Sequence, residues 1–440
     1  MPRLQAGAAQ VDITPGLGVH LCGYFNDRRA TDILDPLHAK AIAISNGKTT
    51  VGFVVCDLIA VPGSVVEAAK ALITERTGVG PENVLIAATH THTGPAIVGA
   101  LGTPEEEGYG EWVAPRIADA FCLAMKRLEP AQFAHVRGAC PGEVHNRRWY
   151  MKDGTVKMNP GYQNPDAIGP AGPTDPELGL MILRSPEGRP MAAMGNLSLH
   201  YVGVRGAGDV ICADYFAAFG RSLNRCAGAS FVCPMSNGTF GDVNNCDFTR
   251  PARTSAGPMD QIERVGNVVA GEAWRAWNSL REEEFRDDVP LGAKLTQVTF
   301  SARCPTEEEL TAARKLYESG ENWSDHEWIY ARELVLCAQM PAEWTVPIHV
   351  LRIGELGIVG LPGEVFTELG LDIKQRTPFE QTMNIGLAND TVGYVATDRA
   401  LEEGSYETRL CRHVRAPKGT GKLWADTAVA GLEALRQGGD

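Results

Sequence analysis

His90 and His92 stand one residue apart in Thr89-His90-Thr91-His92-Thr93-Gly94-Pro95, directly after the apolar run Val84 to Ala88. Neutral imidazole is the commonest protein ligand for zinc, and two of them on a loop past a strand can turn toward one cleft. A catalytic zinc site usually takes three protein ligands and keeps a position for water, whose pKa the metal lowers to about 7. The pair therefore asks for a second histidine and a carboxylate. His200 and Glu364 are the best-placed candidates, each following an apolar run and lying near glycine or proline that would hold a loop tightly. Isolated His135 and His326 read instead as hydrogen-bonded structural residues. Cys212, Cys226, Cys233 and Cys246 crowd one stretch without a CxxC pair, and read as small core residues, not a thiolate metal site.

Strands and helices must carry these side chains. Ala39 to Ser45 and Thr50 to Ala60 read as a hairpin turned at Asn46-Gly47-Lys48. A helix follows, with a capping box of Ser64 and Glu67 and a stop at Gly78. Val84 to Ala88 is a buried strand; Met191 to Ser198 is another, ending at His200; a helix opens near Asp214 and runs to Arg225. The run Ser230 to Met235 leads into Ser236 to Asn245, too rich in Gly and Asn for regular structure. A long amphipathic helix is expected from Met259 to about Glu282. Two charged helices lie between Thr306 and Met340, capped by Thr306 with Glu309 and Ser324 with Glu327. Strands resume at Val346 to Ile353, Leu356 to Leu361 and Met383 to Ala388, leading to Pro362-Gly363-Glu364 and to Asn389 to Asp398.

Polar segments thus recur at the carboxyl ends of strands, where open α/β sheets place their ligands. The pattern predicts an α/β fold of layered mixed β-sheets flanked by helices. No repeat or linker divides residues 1–440, so a single large domain is expected. The segment about 303–345 is its inserted helical hairpin, either a lid over the site or a solvated flank.

The chain is 44% hydrophobic and 22% charged, ordinary globular usage, and its net charge of -13 disfavours nucleic acid and acidic membranes as partners. Met1 to Gln10 lacks the apolar run of a secretion leader, and no segment reaches membrane-spanning length. A cytoplasmic protein with no stable membrane anchor, acting on a small-molecule substrate, is the expectation.

The segment Ala87 to Pro95 resembles the ATHTHSGP signature of the neutral, non-lysosomal ceramidases. Asp35-Pro36-Leu37-His38-Ala39-Lys40-Ala41, Cys56-Asp57-Leu58, Asn146-Arg147, Ala213-Asp214-Tyr215 and Leu361-Pro362-Gly363-Glu364 resemble further landmarks in that family's order, from about residue 6 to about 410. The resemblance implies a zinc ion held by His90, His200, Glu364 and Tyr394. Tyr394 is placed by Gly393-Tyr394-Val395-Ala396-Thr397 after Asn389, and Tyr406 would be the family's downstream tyrosine. Two departures stand out. The family's GNLSPN-like loop carries a catalytic serine, where this chain has Gly238-Thr239-Phe240-Gly241-Asp242-Val243-Asn244. The family also continues into a C-terminal β-sandwich, for which this chain is too short.

The activity implied is zinc-dependent hydrolysis of a carbon–nitrogen bond other than a peptide bond, by attack of a metal-bound water on a small or medium polar amide rather than ceramide. Proton transfer and oxyanion stabilisation would fall to His92 and Tyr394, with Asp242 less favoured. Arg147, Asn244 and Tyr406 would contact substrate, Arg147 by a bidentate grip on an anionic group unless it is a structural ion pair. The competing readings are an ester or lactone hydrolase using the same chemistry, and a non-catalytic binding protein that kept the metal.

Overall fold

At Asn46 the chain reverses: its Oδ1 accepts from the N–H groups of Lys48 and Thr49 at 3.1 and 2.9 Å, and Gly47 adopts φ 79°. The flanking strands, His38–Ser45 and Thr50–Cys56, pair antiparallel. Along them Ile42, Ile44, Val51, Phe53 and Val55 face one side and Ala39, Ala41, Ala43 and Val54 the other, the period-two alternation of a sheet buried on both faces. The alanine face admits the helices Gly63–Thr77 and Tyr109–Lys126 at close range; a Cβ on Gly7 of the neighbouring strand would lie 2.1 Å from the Ala124 carbonyl oxygen. The computed structural model describes residues 4–202 and 209–438, so the first three residues of the Met1 to Gln10 stretch lie outside it.

Three principal sheets share one interior. The first runs Val84–Ala88, Thr50–Cys56, His38–Ser45, Gln5–Asp12 and Glu129–Pro130. The second runs Met235–Asn237, Pro190–Leu197, Glu177–Arg184 and Gln132–Ala139; the third runs Leu291–Ser301, Glu343–Ile353, Leu356–Gly360 and Gln381–Ile385. Ile42 and Phe53 from the first meet Met181 and Met194 from the second and Ile358 and Met383 from the third in one apolar cluster. Burying each such side chain contributes about 1.5–3 kcal/mol, and Phe53→Ala would cost about 3–5 kcal/mol through the cavity it leaves. Helices Asp214–Ala227 and Asp260–Trp277 cover the second sheet from outside, and Thr367–Arg376 and Thr420–Gln437 the third. The expectation of layered mixed sheets flanked by helices is met.

Each sheet is antiparallel except at one edge, where a parallel pair occurs: Val84–Ala88 with Thr50–Cys56, Met235–Asn237 with Pro190–Leu197, and Gln381–Ile385 with Leu356–Gly360. Their carboxyl ends are stitched together. Asn389 exchanges hydrogen bonds with the Ile86 backbone at 2.7 and 3.1 Å, Gly386 N–H donates to Asn237 O at 3.0 Å, and Asn237 Nδ2 donates to Thr89 O at 3.3 Å. The segments carrying His90, His200, Glu364 and Tyr394 all leave from these edges.

Several local expectations are corrected. The helix after the first hairpin has no Ser64 cap, because Asp390 Oδ1 takes the Gly63 N–H at 2.9 Å. The strand from Thr50 stops at Cys56 instead of Ala60, because the Asp57 carboxylate turns aside to Lys40 Nζ at 2.8 and 3.0 Å and to the His38 N–H at 3.0 Å. The Thr306–Glu309 capping box forms, whereas the next cap is Asp325, accepting from Glu327 N–H at 2.9 Å, in place of Ser324. The long amphipathic helix spans Asp260–Trp277, short of Glu282. The hairpin Glu307–Tyr317 and His326–Cys337 is docked, not merely solvated: Trp328, Ile329 and Tyr330 pack with Tyr394, and fully buried Glu333 is gripped by Arg412 at 2.7 Å.

Candidate metal centre

His90 sits in a left-handed conformation, φ 73°, which a non-glycine residue adopts at a cost of about 1–3 kcal/mol. The preceding loop imposes it: His90 N–H donates to Leu58 O at 2.9 Å, and the ring Nδ1 donates to Ile59 O at 2.8 Å. With the hydrogen fixed on Nδ1, Nε2 presents a lone pair. Glu364 Oε2 lies 3.4 Å from it, and both atoms are buried without a hydrogen-bond partner among the described residues. Leaving a buried polar atom unpaired costs about 1–3 kcal/mol, more for a charged group, so two such atoms face to face fit a cation between them. A tetrahedral ion with bonds of about 2.0–2.1 Å keeps its ligand atoms about 3.4 Å apart.

His92 and His200 complete a buried three-histidine group whose ligand atoms lie within 4.8 Å of one another and could hold a metal ion. Their tautomers follow from their partners. His92 Nδ1 faces Gly23 O at 2.8 Å and must donate; His200 Nδ1 faces Arg147 Nη1, a donor only, at 3.0 Å and must accept. The 3.0 Å contact between the two Nε2 atoms is then a hydrogen bond from His200 to His92. His200 Nδ1 is also 3.7 Å from Glu364 Oε2. Burial drives the electrostatics: it lowers His90 to about 3 and His92 and His200 well below the usual imidazole range, and raises Glu364 to about 7 against the pull of Arg147 and a hydrogen bond from Tyr394. Neutral imidazoles are the state metal binding requires, and Glu364 would give up its proton when a cation bound.

Tyr394 reaches this group because Glu364–Val365 and Tyr394–Val395 pair in parallel, Glu364 beside Tyr394. Its hydroxyl accepts from Arg147 Nη2 at 3.0 Å. Arg147 is spent on the protein: Nε donates to Glu407 at 2.8 Å, Nη1 to His200 and Nη2 to Gly241 O at 2.9 Å as well as Tyr394. Of its two readings from sequence, grip on an anionic substrate or structural ion pair, these contacts form the second. Tyr406 stands at the rim, half-buried, its ring centroid 5.8 Å from Tyr394 and 6.0 Å from Phe25.

Asp242 and Asn244 point elsewhere. Asp242 accepts from Asn146 Nδ2 at 3.0 Å and Thr367 N–H at 2.8 Å; Asn244 bonds Asn159 at 2.9 Å and Cys246 N–H at 2.9 Å. Their loop offers the histidines Phe240 instead, with ring centroids 5.0 Å from His90 and 5.4 Å from His200. His135 and His326 lie apart from the cluster, bonded to Gln381 and stacked on Phe25 respectively. The cysteines form no metal-binding group among the described residues. Two neighbours had no spacing signal, Arg28 and His413, whose carbonyl receives the Tyr394 N–H at 2.9 Å; Asp214, a landmark of the resemblance, lies on the His92 backbone.

Layered mixed sheets whose parallel edges meet at a buried histidine and carboxylate cluster make this an α/β protein with a candidate metal centre. In sequence the chain is similar to the neutral ceramidase of Pseudomonas aeruginosa, 20% identical over 381 residues. That match covers 74% of this chain and 56% of the ceramidase, so the chain spans little more than half of that relative. The crystal structure of neutral ceramidase from Pseudomonas aeruginosa matches the fold with a TM-score of 0.77 over 99% of this chain and 75% of that one, at 19% identity. A ceramidase complexed with C2 matches equally, with a TM-score of 0.77 over 99% and 76% of the two chains at 19% identity. No protein-family model matches the chain. The resemblance carried by the sequence motifs therefore holds for the fold along nearly all of the chain.

Proposed function

We propose that this chain is a zinc-dependent hydrolase that cleaves a non-peptide amide bond of a small or medium polar substrate. The observation that carries the reading is the facing pair of unpartnered atoms, His90 Nε2 and Glu364 Oε2, with His200 and Tyr394 beside them. His90, His200, Glu364 and Tyr394 would hold the ion, His200 through the Nδ1 lone pair that faces Glu364 and that it would release from Arg147. Similarity to a ceramidase supports the amide as the bond cleaved. The loop that gives Phe240 instead of a hydroxyl to the histidines supports a substrate other than ceramide.

Bound zinc would polarise the substrate carbonyl and acidify water. The chain's own residues do the rest. His92 is anchored through Nδ1, so its Nε2 is the basic atom; on exchanging the His200 hydrogen bond for the attacking water it would take that proton and return it to the leaving nitrogen. Arg147 holds the Tyr394 hydroxyl in place, so that Tyr394 can stabilise the developing oxyanion.

The decisive measurement is hydrolysis of matched 4-nitroanilides and 4-nitrophenyl esters of short acids by metal-stripped and zinc-reloaded protein. Zinc-dependent release of 4-nitroaniline is expected. Preference for the ester by several decades would move the assignment to an esterase, and stripped protein as active as reloaded protein would remove zinc from it.

A further inference from the structure

The loop from Cys22 to Arg28 wraps the proton-carrying histidine. Gly23 O accepts the His92 Nδ1–H at 2.8 Å, and only glycine fits there: φ is 112°, and a Cβ would lie 2.5 Å from His92 Nδ1. Arg28 is the hub. Its Nη2 donates to Cys22 O at 3.1 Å and to His92 O at 2.7 Å, and its guanidinium lies 4.0 Å over the Tyr24 ring, which meets His92 edge-on with centroids 6.1 Å apart. On the other side Asp214 Oδ2 accepts the His92 N–H at 3.2 Å and the Thr91 hydroxyl at 2.8 Å. A guanidinium thus holds the His92 carbonyl while a carboxyl oxygen holds its N–H.

We propose that Arg28 is a positioning residue: by tying the Gly23 loop to the His92 peptide, it fixes the imidazole with its hydrogen on Nδ1 and its Nε2 lone pair turned into the histidine cluster. Without the guanidinium two carbonyls lose a shared charged donor, Gly23 O is free to drift, and the hydrogen is no longer confined to Nδ1. The buried side chain, 9% exposed, touches none of the proposed metal ligands by any hydrogen bond, so its effect must pass through His92.

The inference rests on the proposed hydrolase reading, and a double-mutant cycle tests it with zinc-loaded protein and a short-chain acyl 4-nitroanilide. Arg28→Met should keep its zinc and lower kcat by about 10-fold or more while KM moves less than about 2-fold. Arg28→Lys, which retains the charge and one donor, should recover part of the loss and serves if the Met variant is unstable. In the His92→Ala background Arg28→Met should add nothing, because a positioning residue has no effect once its target is gone. Full activity of Arg28→Met, loss of zinc, or an equal multiplicative loss in both backgrounds would overturn the proposal. Should the wild type cleave no amide, the function reading falls but Arg28 is still decided, by the nitrogen-15 shifts of labelled histidines. Hydrogen confined to His92 Nδ1 in wild type and redistributed in Arg28→Met supports the role; an unchanged tautomer refutes it.

Discussion

His90 Nε2 and Glu364 Oε2 face each other across 3.4 Å, the first carried by the sheet of Thr50–Cys56 and the second by the sheet of Leu356–Gly360. Neither atom has a hydrogen-bond partner among the described residues. Two elements distant in sequence would not leave such a pair buried in a structure selected for stability alone, since either could be replaced by an apolar residue of similar volume.

Removing either member should therefore abolish metal binding without unfolding the chain. His90→Ala and Glu364→Gln are expected to contain less than about one-tenth of the wild-type zinc after equilibration, because a site of four protein ligands loses most of its affinity with one. Elemental analysis after gel filtration checks this. The wild type should gain thermal stability as free zinc is raised, with His90→Ala showing no gain; stoichiometric zinc in both variants would place the ion elsewhere.

His92 should behave differently. As a proton carrier its loss leaves zinc bound and lowers kcat by roughly 10² to 10⁴, whereas a residue that only orients His200 weakens zinc by roughly 10- to 100-fold. The His200–His92 hydrogen bond makes both roles geometrically available. Activity of His92→Ala measured in excess zinc separates them: depressed kcat at full occupancy marks the carrier, and restored activity marks the support.

Arg147 is expected to matter first for stability. Removing one member of a buried ion pair costs about 3–5 kcal/mol because the other charge is left behind. Here Arg148 still holds Glu407 at 3.0 Å, so Arg147→Met should fall near the low end, about 3 kcal/mol, in denaturant unfolding of the metal-free protein. Arg147→Lys should recover only part, since one ammonium cannot reproduce the fork to Glu407, His200 and Tyr394. A cost below about 1 kcal/mol for Arg147→Met would return Arg147 to the substrate side, as expected of an exposed rather than interior pair.

The sequence made His90, His200 and Glu364 legible as candidates because each lies just beyond a short apolar strand, and those strand ends are the parallel edges that meet; Tyr394 came only from the family resemblance. It did not reveal what holds them. Asn389 reaches Ile86, Asp390 reaches Gly63 and Arg28 reaches His92, all contacts that local periodicity cannot encode. The same limit explains Arg147, Asp242 and Asn244: a polar residue in a loop reads alike whether its acceptors belong to a ligand or to the protein. The displaced caps at Gly63 and Asp325 share this cause, a better-placed carboxylate winning over the nearer hydroxyl.

A last expectation concerns pH and a histidine outside the centre. His349 is fully buried where the stitched edges meet; its Nε2 donates to Glu82 O at 2.6 Å and its Nδ1 accepts from Asn389 Nδ2 at 3.0 Å, so both nitrogens are committed in the neutral form. Burial lowers it to about 3, from an ordinary value of 6.5. A depressed folded-state value means that the unfolded chain binds the extra proton first, so this contribution is fully present above the ordinary value and is lost as pH falls toward 3. Over that window it should steepen acid destabilisation by up to about 1.4 kcal/mol per pH unit. Denaturant unfolding between pH 7.5 and 5 in wild type and His349→Gln reads it directly. The variant should be less stable at pH 7.5, through the lost Glu82 and Asn389 contacts, yet show the shallower decline; parallel declines would mean that His349 does not titrate on unfolding and that the acid sensitivity lies in the histidines of the centre.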